Sequence, residues 1–146
     1  MRIYMDVCCL NRPFDDQSQE RIRLESEAVL IILHKCEISE WVLVGSEVIE
    51  LEISRIPDPD RRMMVELLYS IAKVRVQIDD GIRSRALELE DMGFRSFDAL
   101  HIACAERSAD VMLTTDDKLL KRAIRSKDRL NVKIDNPVRW LMEVFE

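Results

Sequence analysis

The sequence predicts an α/β fold, a three-layer α/β/α sandwich around a central, mainly parallel sheet. Three observations carry that expectation. Short apolar runs rich in β-forming residues recur along the chain, stretches of helical period separate them, and the 146 residues, 47% hydrophobic, suffice for one sizeable core. Strands that alternate with helices imply parallel pairing with helices over both faces of the sheet. A single domain over residues 1–146 is expected.

Residues 3–10 form an apolar run closed by Asn11-Arg12-Pro13, which predicts a buried strand and then a loop to about residue 18. From 19 to about 36, Ile22, Val29, Ile32, Leu33 and Cys36 recur at helical spacing with charges between them. Residues 41–44 predict a second buried strand, and Gly45-Ser46 turns it into a helix that Ser46 caps. Pro57-Asp58-Pro59 stops or kinks that helix. Residues 61–73 read as a helix and 74–78 as a strand. A helix over 80–92 closes at Gly93, and another opens at Ser96 and runs to Ser108. Residues 111–114 are a strand, and 116 to about 127 a helix with a basic outer face. Residues 131–134 predict the last strand, after which Asn136-Pro137 supplies an N-cap and a proline at the first helical position.

Composition excludes some functions. With 22 basic and 28 acidic residues the net charge is −6, so a protein that merely coats nucleic acid is not expected. An enzyme is compatible with that charge, because a divalent cation in a carboxylate pocket reverses the local sign. Cys8, Cys9, Cys36 and Cys104 lack CxxC spacing and lie in apolar surroundings, which predicts buried free thiols and a reducing, cytoplasmic compartment. The first ten residues are interrupted by Asp6 and read as no signal sequence; no membrane association is expected.

Four acids, Asp6, Glu52, Asp98 and Asp116, sit at the edges of apolar segments. A buried carboxylate costs several kcal/mol unless it is paired or binds a metal, so one cation collecting all four is the simplest account, and a nuclease-like one. Asp6 lies inside the first strand run among Ile3, Met5, Val7 and Leu10 with no local partner. Asp116 follows the fourth strand, where it is either an N-cap or a neighbour of Asp6 on the rim that open α/β sheets use for their sites. Between residues 47 and 56, helical geometry places Glu52 in the apolar face of Val48, Ile49, Ile53 and Ile56, while Glu47 and Glu50 fall on a solvated face. Glu52 then needs a metal, a basic partner or the edge of a cleft. Asp98 stands in a first helical turn, where the dipole alone accounts for it, but Ala99, Ala103 and Ala105 allow the close approach that brings it to the same rim. His101 is expected to pack near the core with its polar edge wet, and His34 has no role. Four carboxylates without a Cys or His ligand pattern favour Mg²⁺ or Mn²⁺. Arg12, Lys118, Lys121, Arg122 and Arg125 are candidate cations at the rim.

The segments MDVCCLNRPFDD, SEVIELEIS, SFDALHIACAE and LTTDDKLL, in that order and spacing over nearly the whole chain, resemble a PIN domain, the nuclease fold of VapC-type toxins. The resemblance implies that Asp6, Glu52, Asp98 and Asp116 form the metal site and that Thr114 is the hydroxyl of the T-x-D turn. Asp117 is a further acid of that turn. Many relatives place Thr and Asn just after the first aspartate. This chain has Val7, Cys8 and Cys9, with Asn11 the nearest polar substitute. The implied activity is hydrolysis of RNA by a metal-dependent endoribonuclease, with a small antitoxin protein as partner. A PIN-like module that binds RNA or protein without turnover is the alternative. Trp140, Leu141, Val144 and Phe145 end the chain on an amphipathic helix that either supports a homodimer or caps the core.

Overall fold

The structure, a computed structural model, describes residues 1–146. The chain runs β1 (Arg2–Met5), α1 (Val7–Asn11), a 3-10 turn (Arg12–Phe14), α2 (Glu20–Glu37), β2 (Val42–Ser46), α3 (Glu47–Ser54), α4 (Pro59–Tyr69) and β3 (Val74–Val76). It continues through α5 (Asp80–Asp91), α6 (Ser96–Ser108), β4 (Val111–Leu113), α7 (Asp117–Arg125), a second 3-10 turn (Lys127–Arg129), β5 (Lys133–Asp135) and α8 (Pro137–Val144). The five strands form one sheet in the order β3-β2-β1-β4-β5, and every pair is parallel. α2 packs on α8 and β2, whereas α6 packs on α5 and on β2, β3 and β4, giving the α/β/α sandwich. Because β1 and β4 are covered on both faces, Ile3, Tyr4, Met5, Val111, Met112 and Leu113 are all buried, and a single cluster of 34 buried residues forms the core. No helix is long and apolar enough to cross a membrane.

The connection from β1 leads toward β2, and that from β4 leads the other way, toward β5. The two connections therefore diverge beyond the C-terminal ends of β1 and β4, the position where open parallel sheets hold ligands.

The first predicted strand is corrected. The apolar run 3–10 splits into β1 and α1, with Asp6 between them in extended backbone (φ −60°, ψ 150°). A short run buried all round carries no periodicity to separate strand from helix, so sequence could not place the break. Asp6 thus ends the strand instead of lying inside it, and its N–H donates to Leu113 O at 2.9 Å, tying it to β4. The helix expected over 61–73 is Pro59–Tyr69: Pro59 occupies a first-turn position whose N–H would be unpaired anyway, and Asp58 accepts from the Asp60 N–H. In α8, Trp140 and Leu141 are buried, and Trp140 meets Trp41 edge-on at 5.1 Å, so these two cap the core. Phe145 is exposed.

Candidate metal centre

Asp6 is only 8% exposed, and Thr114 fixes it. Thr114 Oγ1 donates to Asp6 Oδ2 at 2.9 Å and accepts from the Asp116 N–H at 3.2 Å, so one buried hydroxyl joins the ends of β1 and β4. The Cys8 thiol joins them a second time. Its Sγ lies 3.4 Å from Thr114 Oγ1 and accepts from the Thr115 N–H at 3.4 Å. A thiol therefore does part of the polar work that sequence assigned to Asn11. Asn11 instead donates to Val7 O within α1 and accepts from Arg61.

Glu52 is half-buried and meets His101 Nε2, which lies 3.8 Å from Asp6 Oδ1. Ligand atoms of Asp6, Glu52 and His101 all lie within 4.8 Å of one another. The expectation of a wet imidazole edge is corrected: His101 is wholly buried with both nitrogens bonded, Nδ1 standing 2.6 Å from the Tyr4 hydroxyl. Tyr4 in turn lies 2.8 Å from Ser46 Oγ, which also caps α3 by accepting from the Ile49 N–H. A buried chain of side chains from Ser46 through Tyr4 and His101 thus reaches Glu52. Burial lowers the His101 pKa, but the bond to Glu52 and the charges of Asp6, Glu52 and Asp98 outweigh it and leave it raised. The Asp98-His101 spacing of three along a helix was the one sequence signal for this contact. Tyr4 gave none.

Asp98 completes the electrostatics. Its pKa is raised to about 6, first by burial and then by the charges of Asp6 and Asp116, with Glu52 adding to the rise and His101 opposing it. Asp116 is the N-cap of α7, accepting from the Lys118 N–H at 2.9 Å and the Leu119 N–H at 3.4 Å. Both bonds fall on Oδ1, leaving Oδ2 free. The cap and the site readings of Asp116 are therefore compatible. Oxygen donors that repel one another beside a buried aspartate fit a small hard dication such as Mg²⁺ or Mn²⁺, with His101 the one nitrogen at hand.

Other candidate residues are engaged elsewhere. Both oxygens of Asp117 bind Arg21, at 2.7 and 2.8 Å. Arg12 donates to Glu25 at 2.8 Å and Asp15 at 3.1 Å. Glu47 and Glu50 point away from Glu52 as expected, but they are not simply solvated: Glu47 accepts from the Ile78 N–H at 2.7 Å, and Glu50 binds Tyr69 and Arg75. The basic face of α7 does not form one patch. Arg122 lies against Gly93, while Lys121 faces a groove of about 1460 Å³ along β5. None of Asp6, Glu52, Asp98 or Asp116 lines that groove.

An all-parallel α/β/α sandwich with carboxylates gathered at its topological switch point defines the class. The profile of the PIN domain family matches residues 3–125, and the chain belongs to that family. Its fold is similar to the crystal structure of FitAcB from Neisseria gonorrhoeae, at a TM-score of 0.60 and 14% identity over 92% of this chain and 97% of that one. VapBC2 from Rickettsia felis, bound to a DNA fragment from their promoter, matches at 0.57 and 13% identity, over 93% and 98%. FitAB bound to an IR36 DNA fragment matches at 0.58 and 16% identity, over 93% and 95%. No curated protein matches the sequence.

Proposed function

We propose that this protein is a Mg²⁺- or Mn²⁺-dependent endoribonuclease of the cytoplasm, the toxin of a pair with a small antitoxin protein. The observation that carries the reading is the approach of Asp6, Glu52 and His101 ligand atoms to within 4.8 Å of one another beyond β1 and β4, beside Asp98, whose carboxyl is raised to about 6 first by burial and then by the charges of Asp6 and Asp116. RNA as substrate rests on the family resemblance. The antitoxin rests on the like-folded VapBC2 of Rickettsia felis and FitAB, both solved bound to DNA.

Asp6, Glu52, Asp98 and Asp116 would hold the ion, which when bound polarises a phosphodiester and acidifies water. Thr114 keeps Asp6 Oδ2 in place and leaves Oδ1 toward His101 and Glu52. The α7 cap holds Asp116 by one oxygen and frees the other. His101 restrains Glu52. Water attacks phosphorus in line with the 3′ oxygen, a new P–O bond forms as the P–O3′ bond breaks, the departing oxygen takes up a proton to leave a 3′ hydroxyl and a 5′ phosphate, and no side chain becomes covalently bound.

Side-by-side incubation of RNA, single-stranded DNA and duplex DNA with Mn²⁺ tests the reading. Cleavage of RNA that disappears in Asp6→Asn and Asp98→Asn is expected, with thermal stability in EDTA preserved or raised. Intact RNA, or cleavage that survives either substitution, overturns it.

A further inference from the structure

α3 and α6 face each other through two side-chain contacts one helical turn apart. The inner contact is Glu52 with His101. In the outer one the Arg55 guanidinium carbon stands over the Phe97 ring, 5.4 Å from its centroid. The spacing explains the pairing. Arg55 follows Glu52 by three residues, its N–H donating to Glu52 O at 3.1 Å, and Phe97 precedes His101 by four, so each outer residue shares a helix face with an inner one. Burial orders the two contacts: His101 is wholly buried, Phe97 half-buried and Arg55 exposed. The outer pair therefore stands on the solvent side of His101, and Phe97 immediately precedes Asp98 in the chain.

Arg12, Arg21, Arg61, Arg75, Arg85 and Arg107 are each tied to a carboxylate. Arg55 has an aromatic face instead. A guanidinium over a ring keeps its in-plane N–H donors, which match a phosphate in geometry. In a chain of net charge −6, attraction for a polyanion has to be local, and Arg55 follows Glu52 by three residues and lies over the ring of the residue before Asp98.

Resting on the nuclease reading above, we infer that Arg55, positioned by Phe97, binds a backbone phosphate of single-stranded RNA next to the one being cleaved. Arg55 touches substrate; Phe97 acts through Arg55. The guanidinium would arrest the strand by one phosphate, while a cation held by the acids would polarise the neighbouring one.

Binding is measured on the full chain carrying Asp6→Asn, with a short fluorescein-labelled single-stranded RNA in Mn²⁺, by anisotropy between about 50 and 200 mM salt. Adding Arg55→Ala should weaken binding about tenfold and lower the salt slope by about 0.7, the share of one phosphate on a single strand. Arg55→Lys should keep the slope and lose only part of the affinity, and Phe97→Leu should fall between. Melting temperatures should remain close to that of the parent. Equal affinity and slope in Arg55→Ala would overturn the inference, as would a loss that only accompanies unfolding, or a parent that binds no RNA. Continued RNA cleavage by the Asp6→Asn parent would instead strike the nuclease reading and leave the binding result standing.

Discussion

Asp98 is the residue whose surroundings oppose its charge most clearly. Burial leads, the charges of Asp6 and Asp116 follow, and the result is a carboxyl raised from 3.8 to about 6. A folded-state value above the unfolded one means that the native chain holds this proton more tightly. The associated stability is fully present below about 3.8 and is lost as the pH rises through about 6. In EDTA, the melting temperature of the wild type relative to Asp98→Asn should therefore fall as the pH rises from about 4 to about 6. A difference that stays flat over that range would show that neither burial nor the other acids raise the Asp98 pKa. Asp6, inside an apolar run, and Glu52, on an apolar helix face, stood out of place in the sequence, whereas Asp98 in a first helical turn and Asp116 at an N-cap position did not. The role of His101 was not legible, because an imidazole at i+3 from an aspartate is ordinary and its partner Tyr4 lies 97 positions away.

At the scale of elements, the Tyr4 hydroxyl is the joint between β1, the start of α3 and the middle of α6. It sits between Ser46 Oγ and His101 Nδ1, and His101 Nε2 meets Glu52, so the strand governs the aim of a candidate ligand two contacts away. Tyr4→Phe keeps the ring and its packing and removes this joint. Supporting partners of metal ligands commonly contribute 10–100-fold in affinity, so Mn²⁺ binding by calorimetry should weaken by about tenfold, at a cost to stability of about 2 kcal/mol. Unchanged Mn²⁺ affinity would show that His101 and Glu52 hold their positions without the Tyr4 hydroxyl. Tyr4 as a strand residue was readable from its β-forming run; its tertiary hydrogen bonds were not. The α1 boundary was marked only by Asp6, which stands at the N-cap position but makes no side-chain capping bond. Glu25 shows the converse error of sign. It is a buried acid, 2% exposed, that sequence never singled out, and it is neutralised by Arg12 and Arg21 with Asn136 donating as well. Burial of a carboxylate thus marks either an ion pair or a cation site, and only the arrangement of arginines in space tells which.

For the whole molecule, the acids converge from both ends of the chain onto β1, β4, α3 and α6, so their repulsion acts against the closure of the fold itself. A dication bound among them would be a ligand of the native state alone, because the unfolded chain scatters its donors. At about a hundred times the dissociation constant such binding adds about 2.7 kcal/mol, which for a domain of this size raises the melting temperature by several degrees. Mn²⁺ should therefore stabilise the wild type, and Asp6→Asn should lose most of that gain while starting from an equal or higher melting temperature in EDTA. NaCl at matched ionic strength separates binding from screening: screening weakens repulsion among exposed charges over a distance of about 10 Å, but it leaves buried groups such as Asp6 largely untouched. A rise in melting temperature that NaCl reproduces, or that Asp6→Asn retains in full, would assign the effect to the net charge of −6 and not to a site. A rise specific to the dication and to Asp6 would mean that the same four carboxylates destabilise the empty fold and build the centre that completes it.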